Sequence, residues 1–290
     1  MNRDIEDLIR LSNEVGSAPD LVQGGGGNTS VKTGDGGMYV KASGTALKDM
    51  REGMGYRLVD LARCLAILDD PELAVLPPME REKEAGHRML ASCQDELPGR
   101  PSVESILHAQ LGRCVVHTHP SLVNGLLSAQ GGRRALDDLF GDFEPPYLCI
   151  EYVDFGYPLA ARMREAIEQY RSQQGCLPKV VFLENHGLFV SADGVDEALA
   201  LTRRIFADVR RARDERMREV RPRPVPTFSR QQELEMVSEA CAALRKAYAA
   251  VLGAPVLVRF SVAAPVQTFM AYPDAEVLVR QGPLVPDQMV

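Results

Sequence analysis

Two hydrophobic periods take turns along this chain, and few architectures can bury both. Apolar residues recur at helical spacing through residues 4–15, 59–68, 78–94, 102–111, 122–129, 159–173 and 195 to about 218. Between them stand short runs of strand character, "TSVKTGDGGMYVKAS", "RCVVHTH", "YLCIEY", "KVVFLEN" and "GLFVSA". A strand buries a face and a helix a stripe, so the alternation predicts a layered α/β class, helices packed on a sheet. The pattern leaves the parallel or antiparallel sense of the sheet open. Gly34-Asp35-Gly36-Gly37 joins two β-like runs as a hairpin would. Ser102 stands where a helix N-cap is expected.

Composition shifts at "REVRPRPVPTFSR", where Pro222, Pro224 and Pro226 end the long helix and stiffen a connector. Residues 1–220 therefore read as the main domain, and 228–290 as a small α+β extension. The extension has a helix over 231–252 and β-like runs "VLVRFSV" and "EVLVRQG". Net charge of −7 lacks the basic footprint that nucleic-acid binding needs. No segment approaches 18 uninterrupted apolar residues, so no membrane partner is expected. The N-terminus has acids threaded through its apolar face and reads as an amphipathic helix rather than a signal or transit peptide. The six cysteines (Cys64, Cys93, Cys114, Cys149, Cys176, Cys241) form no C-x-x-C pair and read as reduced, buried small hydrophobes of a cytoplasmic protein.

Within "VVHTHP", His117 and His119 stand two apart in a chain with only five histidines. On a strand, residues i and i+2 share a face, so both imidazoles project toward one point. Two lone core histidines are the alternative to a ligand pair. "RPSVESILHAQ" adds Glu104 in the first turn of a helix that feeds this strand, and "VVFLENHGLFV" adds His186 at a break between two strands. A carboxylate with three imidazoles suits Zn²⁺ or a similar divalent ion. His108, one turn beyond Glu104, reads as a supporting or core histidine, and His87, on a charged helix, as a surface one.

"QGGGGNTS" places four glycines, Gly24–Gly27, where backbone N–H groups can converge on an anion. A tight turn entering the hairpin is the plainer reading. The segment is neither a P-loop nor a dinucleotide fingerprint.

Together "GGGGNTSVK", "VKASG", "PSVE", "VVHTHP" and "ENHG", in this order and rough spacing, resemble the class II aldolase/adducin family. The likeness covers about residues 5–215. It looks closest to the aldolase part of longer rhamnulose-1-phosphate aldolase/short-chain dehydrogenase fusions, whose dehydrogenase half has no counterpart here. The resemblance implies a three-layer α/β/α fold with a central, largely antiparallel sheet. It implies that His117, His119 and His186 hold a divalent metal, most simply Zn²⁺. Glu104 would ligate the resting metal and serve as acid/base once substrate displaces it. It implies phosphate binding by Gly27, Asn28 and Thr29, by Ser43 and Gly44, and by Ser102. Val103 stands where simpler members have a second serine, a loss for which Lys41 and Arg100 are placed to compensate. A tyrosine from a neighbouring subunit is also implied, with Tyr147, Tyr152 and Tyr157 as candidates, within a cyclic homotetramer.

The expected activity is then cleavage of a ketose 1-phosphate to dihydroxyacetone phosphate and an aldehyde through a metal-stabilised enediolate. Epimerases, decarboxylases and dehydratases of the family use the same ligands. Adducin-like scaffolds keep the fold without the metal histidines, and this chain has all three. The chain ends where longer relatives seem to continue, so a piece of a longer enzyme is a further expectation.

Overall fold

A computed structural model describes residues 2–218, 229–258 and 264–280. The chain divides into two compact units, the first built on Met1–Arg213 and the second on Asp214–Gly282. In the first unit, in chain order, stand α1 (Arg3–Gly16), β1 (Asn28–Lys32), β2 (Gly37–Lys41), β3 (Tyr56–Asp60), α2 (Leu61–Ala66), α3 (Pro71–Ala74), α4 (Pro78–Ala91) and α5 (Ser105–Ala109). Then follow β4 (Cys114–Thr118), α6 (Ser121–Leu127), α7 (Gly132–Phe140), β5 (Tyr147–Ile150), α8 (Tyr157–Gln174), β6 (Val180–Leu183), β7 (Gly187–Ala192) and α9 (Val195–Met217), which runs into the second unit.

The seven strands form one sheet in the order β3-β2-β1-β4-β7-β6-β5. Every neighbouring pair is antiparallel except β5 with β6. Period-two side-chain alternation divides the core between the two faces. Val31, Cys114, Val116, Phe182 and Val190 pack with α1, α6, α7 and α9, while Val40, Val115, Val181 and Phe189 pack with α2, α4, α5 and α8. The result is the expected three-layer arrangement.

Two expectations change in the first unit. Residues 59–68 do not form one helix: β3 pairs with β2 through Asp60, and α2 begins only after Asp60, whose carboxylate accepts from the Arg63 N–H at 2.9 Å. Helix α5 starts at Ser105, three residues later than Ser102, with Glu104 at its N-cap. Ser102 still terminates the segment, since its Oγ accepts from the Glu104 N–H at 3.3 Å.

The second unit contains α10 (Arg230–Leu252), α11 (Ala264–Met270) and α12 (Ala275–Val279). Helix α10 matches the expected helix and opens with a capping box between Ser229 and Gln232. The strand expected from "EVLVRQG" is helical over Ala275–Val279. A strand needs a partner for its backbone groups, whereas one helical turn supplies its own. Pro222, Pro224, Pro226 and residues 259–262 of the other expected strand lie outside the described residues.

Candidate metal centre

Strand β4 lies at the middle of the sheet, and His117 is its fourth residue. Register pairs His117 with Phe189 on β7, and the two rings stack at 3.9 Å between centroids, 13° from parallel. His117 Nδ1 lies 3.1 Å from the Leu188 carbonyl oxygen. A carbonyl only accepts, so Nδ1 carries the proton and the Nε2 lone pair is left free, the tautomer a metal ligand needs. His119 sits just past the strand end on the same side, its Nε2 2.8 Å from that of His117.

His186 arrives from the tight return between β6 and β7. Asn185 takes a left-handed conformation (φ 55°), and the His186 N–H donates to the Leu183 carbonyl at 3.2 Å. From α6, Asn124 Nδ2 donates to the His186 carbonyl at 2.7 Å. His186 Nε2 thereby stands 3.2 Å from His117 Nε2 and 3.1 Å from Glu104 Oε1. Glu104 Oε1 is also 3.2 Å from His117 Nε2.

The four ligand atoms all lie within 4.8 Å of one another, with His117, His119 and His186 buried and Glu104 half-buried. Hydrogen bonding alone does not account for this cluster. One anchored Nε2 lone pair faces two further imidazole nitrogens and a carboxylate oxygen at near-contact distance, and a single proton serves only one of them. A cation serves all four. Metal–nitrogen bonds of about 2.0–2.1 Å imply donor–donor spacings of about 3.3 Å, close to the four distances given above, and the chemistry of the donor set fits a divalent ion. Burial pushes the Glu104 carboxyl up, but the polar surroundings made by the neighbouring His117, His186 and His119 imidazoles outweigh it. The group is held well below the usual carboxylate range and stays ionised.

Residues 6–205 match the Class II Aldolase and Adducin N-terminal domain family. The chain belongs to this family. Over 195 residues it is 30% identical to the uncharacterized oxidoreductase YuxG of Bacillus subtilis (strain 168), a match that spans 63% of this chain and 26% of the relative, about a quarter of its length. The N-terminal class II aldolase domain of a conserved Thermoplasma acidophilum protein superposes with a TM-score of 0.60 at 24% identity, over 73% of this chain and 94% of that one. A sugar-phosphate aldolase from Thermotoga maritima does so with a TM-score of 0.53 at 14% identity, over 76% and 97%. These likenesses carry the fold.

In this class II aldolase/adducin domain the glycine loop borders the histidines. Asn28 pairs in register with His117, and its buried Nδ2 donor has no acceptor among the described residues. Gly27 has φ +72°, and a Cβ there would lie 2.6 Å from Val22 and 3.2 Å from the His117 carbonyl. Lys41 is buried and its ammonium donates to the Gly25 carbonyl at 2.8 Å. Backbone bonds from Ser43 N–H to Arg100 O (2.8 Å) and from Ser102 N–H to Lys41 O (3.0 Å) join the two remaining segments. Lys41, Ser43, Gly44, Arg100 and Ser102 are thus neighbours along two chain segments, with Ser43, Gly44 and Arg100 exposed. Thr29 differs from the others. Its hydroxyl bonds Ser12 of α1 at 2.6 Å, placing its side chain on the opposite face of β1.

His108 is buried, with Nδ1 2.9 Å from Ser30 Oγ and its ring edge-on to His117 at 6.4 Å. Burial, joined by the His117 charge, pushes its imidazole well below the usual range. It is a neutral support outside the ligand set. His87 is exposed, as expected. Cys64 and Cys114 are buried thiols, but Cys176 is exposed. Among the tyrosine candidates, Tyr147 bonds Asp137, Tyr157 is buried at the start of α8, and Tyr152 is exposed. Sequence reasoning missed Asn124 and Phe189. The only signal for Asn124 was an amide inside the apolar run "SLVNGLL".

Proposed function

We propose that this domain is a metal-dependent carbon–carbon lyase that cleaves a ketose 1-phosphate to dihydroxyacetone phosphate and an aldehyde. The observation that carries the reading is the convergence of Glu104, His117, His119 and His186 within 4.8 Å, with the carboxylate placed at a helix N-cap. The sugar-phosphate aldolase activity of the Thermotoga relative agrees with it. His117, His119 and His186 would hold the ion, for which we propose Zn²⁺. When bound, the ion supplies Lewis-acid stabilisation of the negative charge that develops on the ketose oxygens as the bond breaks.

The chain's own residues do the rest. Glu104 is ionised and half-buried, and its side-chain contacts among the described residues are to the histidines, so it would swing aside when substrate takes its place. As a carboxylate it would accept the proton given up by the substrate hydroxyl as the carbon–carbon bond breaks and pass it to the carbanion carbon, with the reverse transfer in condensation, work worth about 10²–10⁴-fold in rate. Asn28 Nδ2 would donate to an anionic substrate oxygen. Lys41, Ser43, Gly44, Arg100 and Ser102 would receive the phosphate, with the Lys41 and Arg100 cations replacing the hydroxyl absent at Val103. We place the enzyme in the cytoplasm as a homotetramer; among the described residues no helix is long and apolar enough to cross a membrane.

The test pairs elemental analysis with a screen of ketose 1-phosphates, monitoring dihydroxyacetone phosphate. One equivalent of divalent metal and aldol cleavage are expected. Glu104→Gln should lower turnover by about 10²–10⁴-fold while the three histidines still bind metal. Conversion of a ketose phosphate to its epimer with no dihydroxyacetone phosphate would reassign the reaction, and a chain that binds no divalent ion after reconstitution would remove it.

A further inference from the structure

Helix α10 lies outside the aldolase/adducin domain and has a periodicity of its own. Leu234, Val237, Cys241, Leu244, Tyr248 and Val251 follow one another at spacings of three, four, three, four and three. A 3.5-residue repeat of this kind keeps one seam facing another helix along its whole length, whereas an ideal straight helix drifts from such a repeat. Most of the seam is open to solvent: Leu234 is 56% exposed, Tyr248 57% and Val251 82%, while Val237 and Cys241 are half-buried. Along one flank stand the exposed alanines Ala240, Ala243, Ala247 and Ala250, which would let a second backbone approach closely.

We propose that α10 pairs antiparallel with α10 of a second copy of this chain. The seam is self-complementary about its midpoint. In the antiparallel register Leu234 meets the partner's Val251, Val237 meets the partner's Tyr248, and Cys241 meets the partner's Leu244. Each layer then sets a larger side chain against a smaller one, which packs evenly. A parallel pair would stack tyrosine on tyrosine and cysteine on cysteine. Charge selects the same sense. Between Leu234 and Val251 the acids, Glu235 and Glu239, lie only in the first half, and the bases, Arg245 and Lys246, only in the second. Antiparallel copies bring unlike halves together; parallel copies bring like halves together. The contact is two-fold and isologous, so it closes at two helices.

Cross-linking of the full-length chain in a Cys241→Ser background tests both the partner and the direction. Leu234→Cys combined with Val251→Cys should give, under mild oxidation, a covalent dimer of twice 31.9 kDa. Peptide mass should locate its disulfide between residue 234 of one chain and residue 251 of the other. Leu234→Cys alone should give no 234–234 dimer, because those positions would be about 25 Å apart. Adding Leu244→Glu to the double variant should abolish the cross-link. A 234–234 disulfide, a disulfide to another part of the same chain, or a cross-link that survives Leu244→Glu would each overturn the proposal. So would an unmodified chain that sediments solely at 31.9 kDa at high micromolar concentration.

Discussion

Gly187 illustrates how little room the histidine cluster leaves. A Cβ at this position would lie 2.5 Å from the Thr118 carbonyl oxygen, 2.8 Å from His119 Cδ2 and 3.3 Å from His117 Cε1. The first clash is with backbone of a central strand, which cannot move aside. Gly187→Ala should therefore lower stability by about 1–3 kcal/mol, as overpacking does, and displace both imidazoles. Thermal melts and a chelator-competition titration would show a lower Tm and weakened metal affinity; unchanged values in both would refute the packing account. Lys41 makes a separate prediction. Lys41→Ala should raise KM for a phosphorylated ketose by about tenfold or more, the size of a lost charge-assisted contact. Steady-state kinetics with an unchanged KM would take Lys41 out of the proposed phosphate site. At this scale the sequence was most legible where one residue type has one use. A His-x-His on a strand and an Asn-His-Gly return declare themselves, while Asn124 and Phe189 matter only through partners brought by the fold.

Helix α5 is five residues long, too short to hold itself together, yet it presents Glu104. Its C-terminal end is gripped by Lys32 of β1, whose ammonium donates to the carbonyls of His108 (3.0 Å), Leu111 and Gly112 (2.7 Å). Burial pushes the Lys32 pKa down from 10.5 to about 8, partly offset by the nearby Cys64 and Cys114 thiols. The sign follows directly. The folded pKa lies below the unfolded one, so between about 8 and 10.5 the unfolded chain binds more protons, and stability rises with pH across that window. Below about 8 the burial penalty is present in full. Lys32→Met should remove this rising component, seen as a flatter Tm-against-pH profile than wild type between pH 8 and 10. A profile parallel to wild type would count against it. Elements with a sustained period of their own, such as α1, α4, α8 and α9, were readable from sequence. Strand β3 was not, because "YRLVD" leads directly into "LARCLA" and only pairing with β2 makes it a strand.

Across the whole molecule, the centre draws on the α5 N-cap, β4 and the β6–β7 return, with His186 and Glu104 82 positions apart in sequence. An ion bound there links the middle of the sheet to one covering layer, and the unfolded chain has no such site. Zn²⁺ should therefore raise the Tm of the apoprotein, with stabilisation of about 2.7 kcal/mol when free ion reaches a hundred times its Kd. His119→Ala should abolish most of that shift; an equal shift in the variant would mean the ion binds elsewhere. By itself, the sequence determined the α/β class and the strand–turn–strand signals and named the candidate donors, because side-chain period and ligand chemistry are local properties. Only the tertiary structure decided that Asn28 lies beside His117, that Thr29 faces away toward Ser12, and that Asn124 holds the His186 peptide. Cross-strand register and layer packing set those contacts, and both arise between segments that the linear pattern leaves independent.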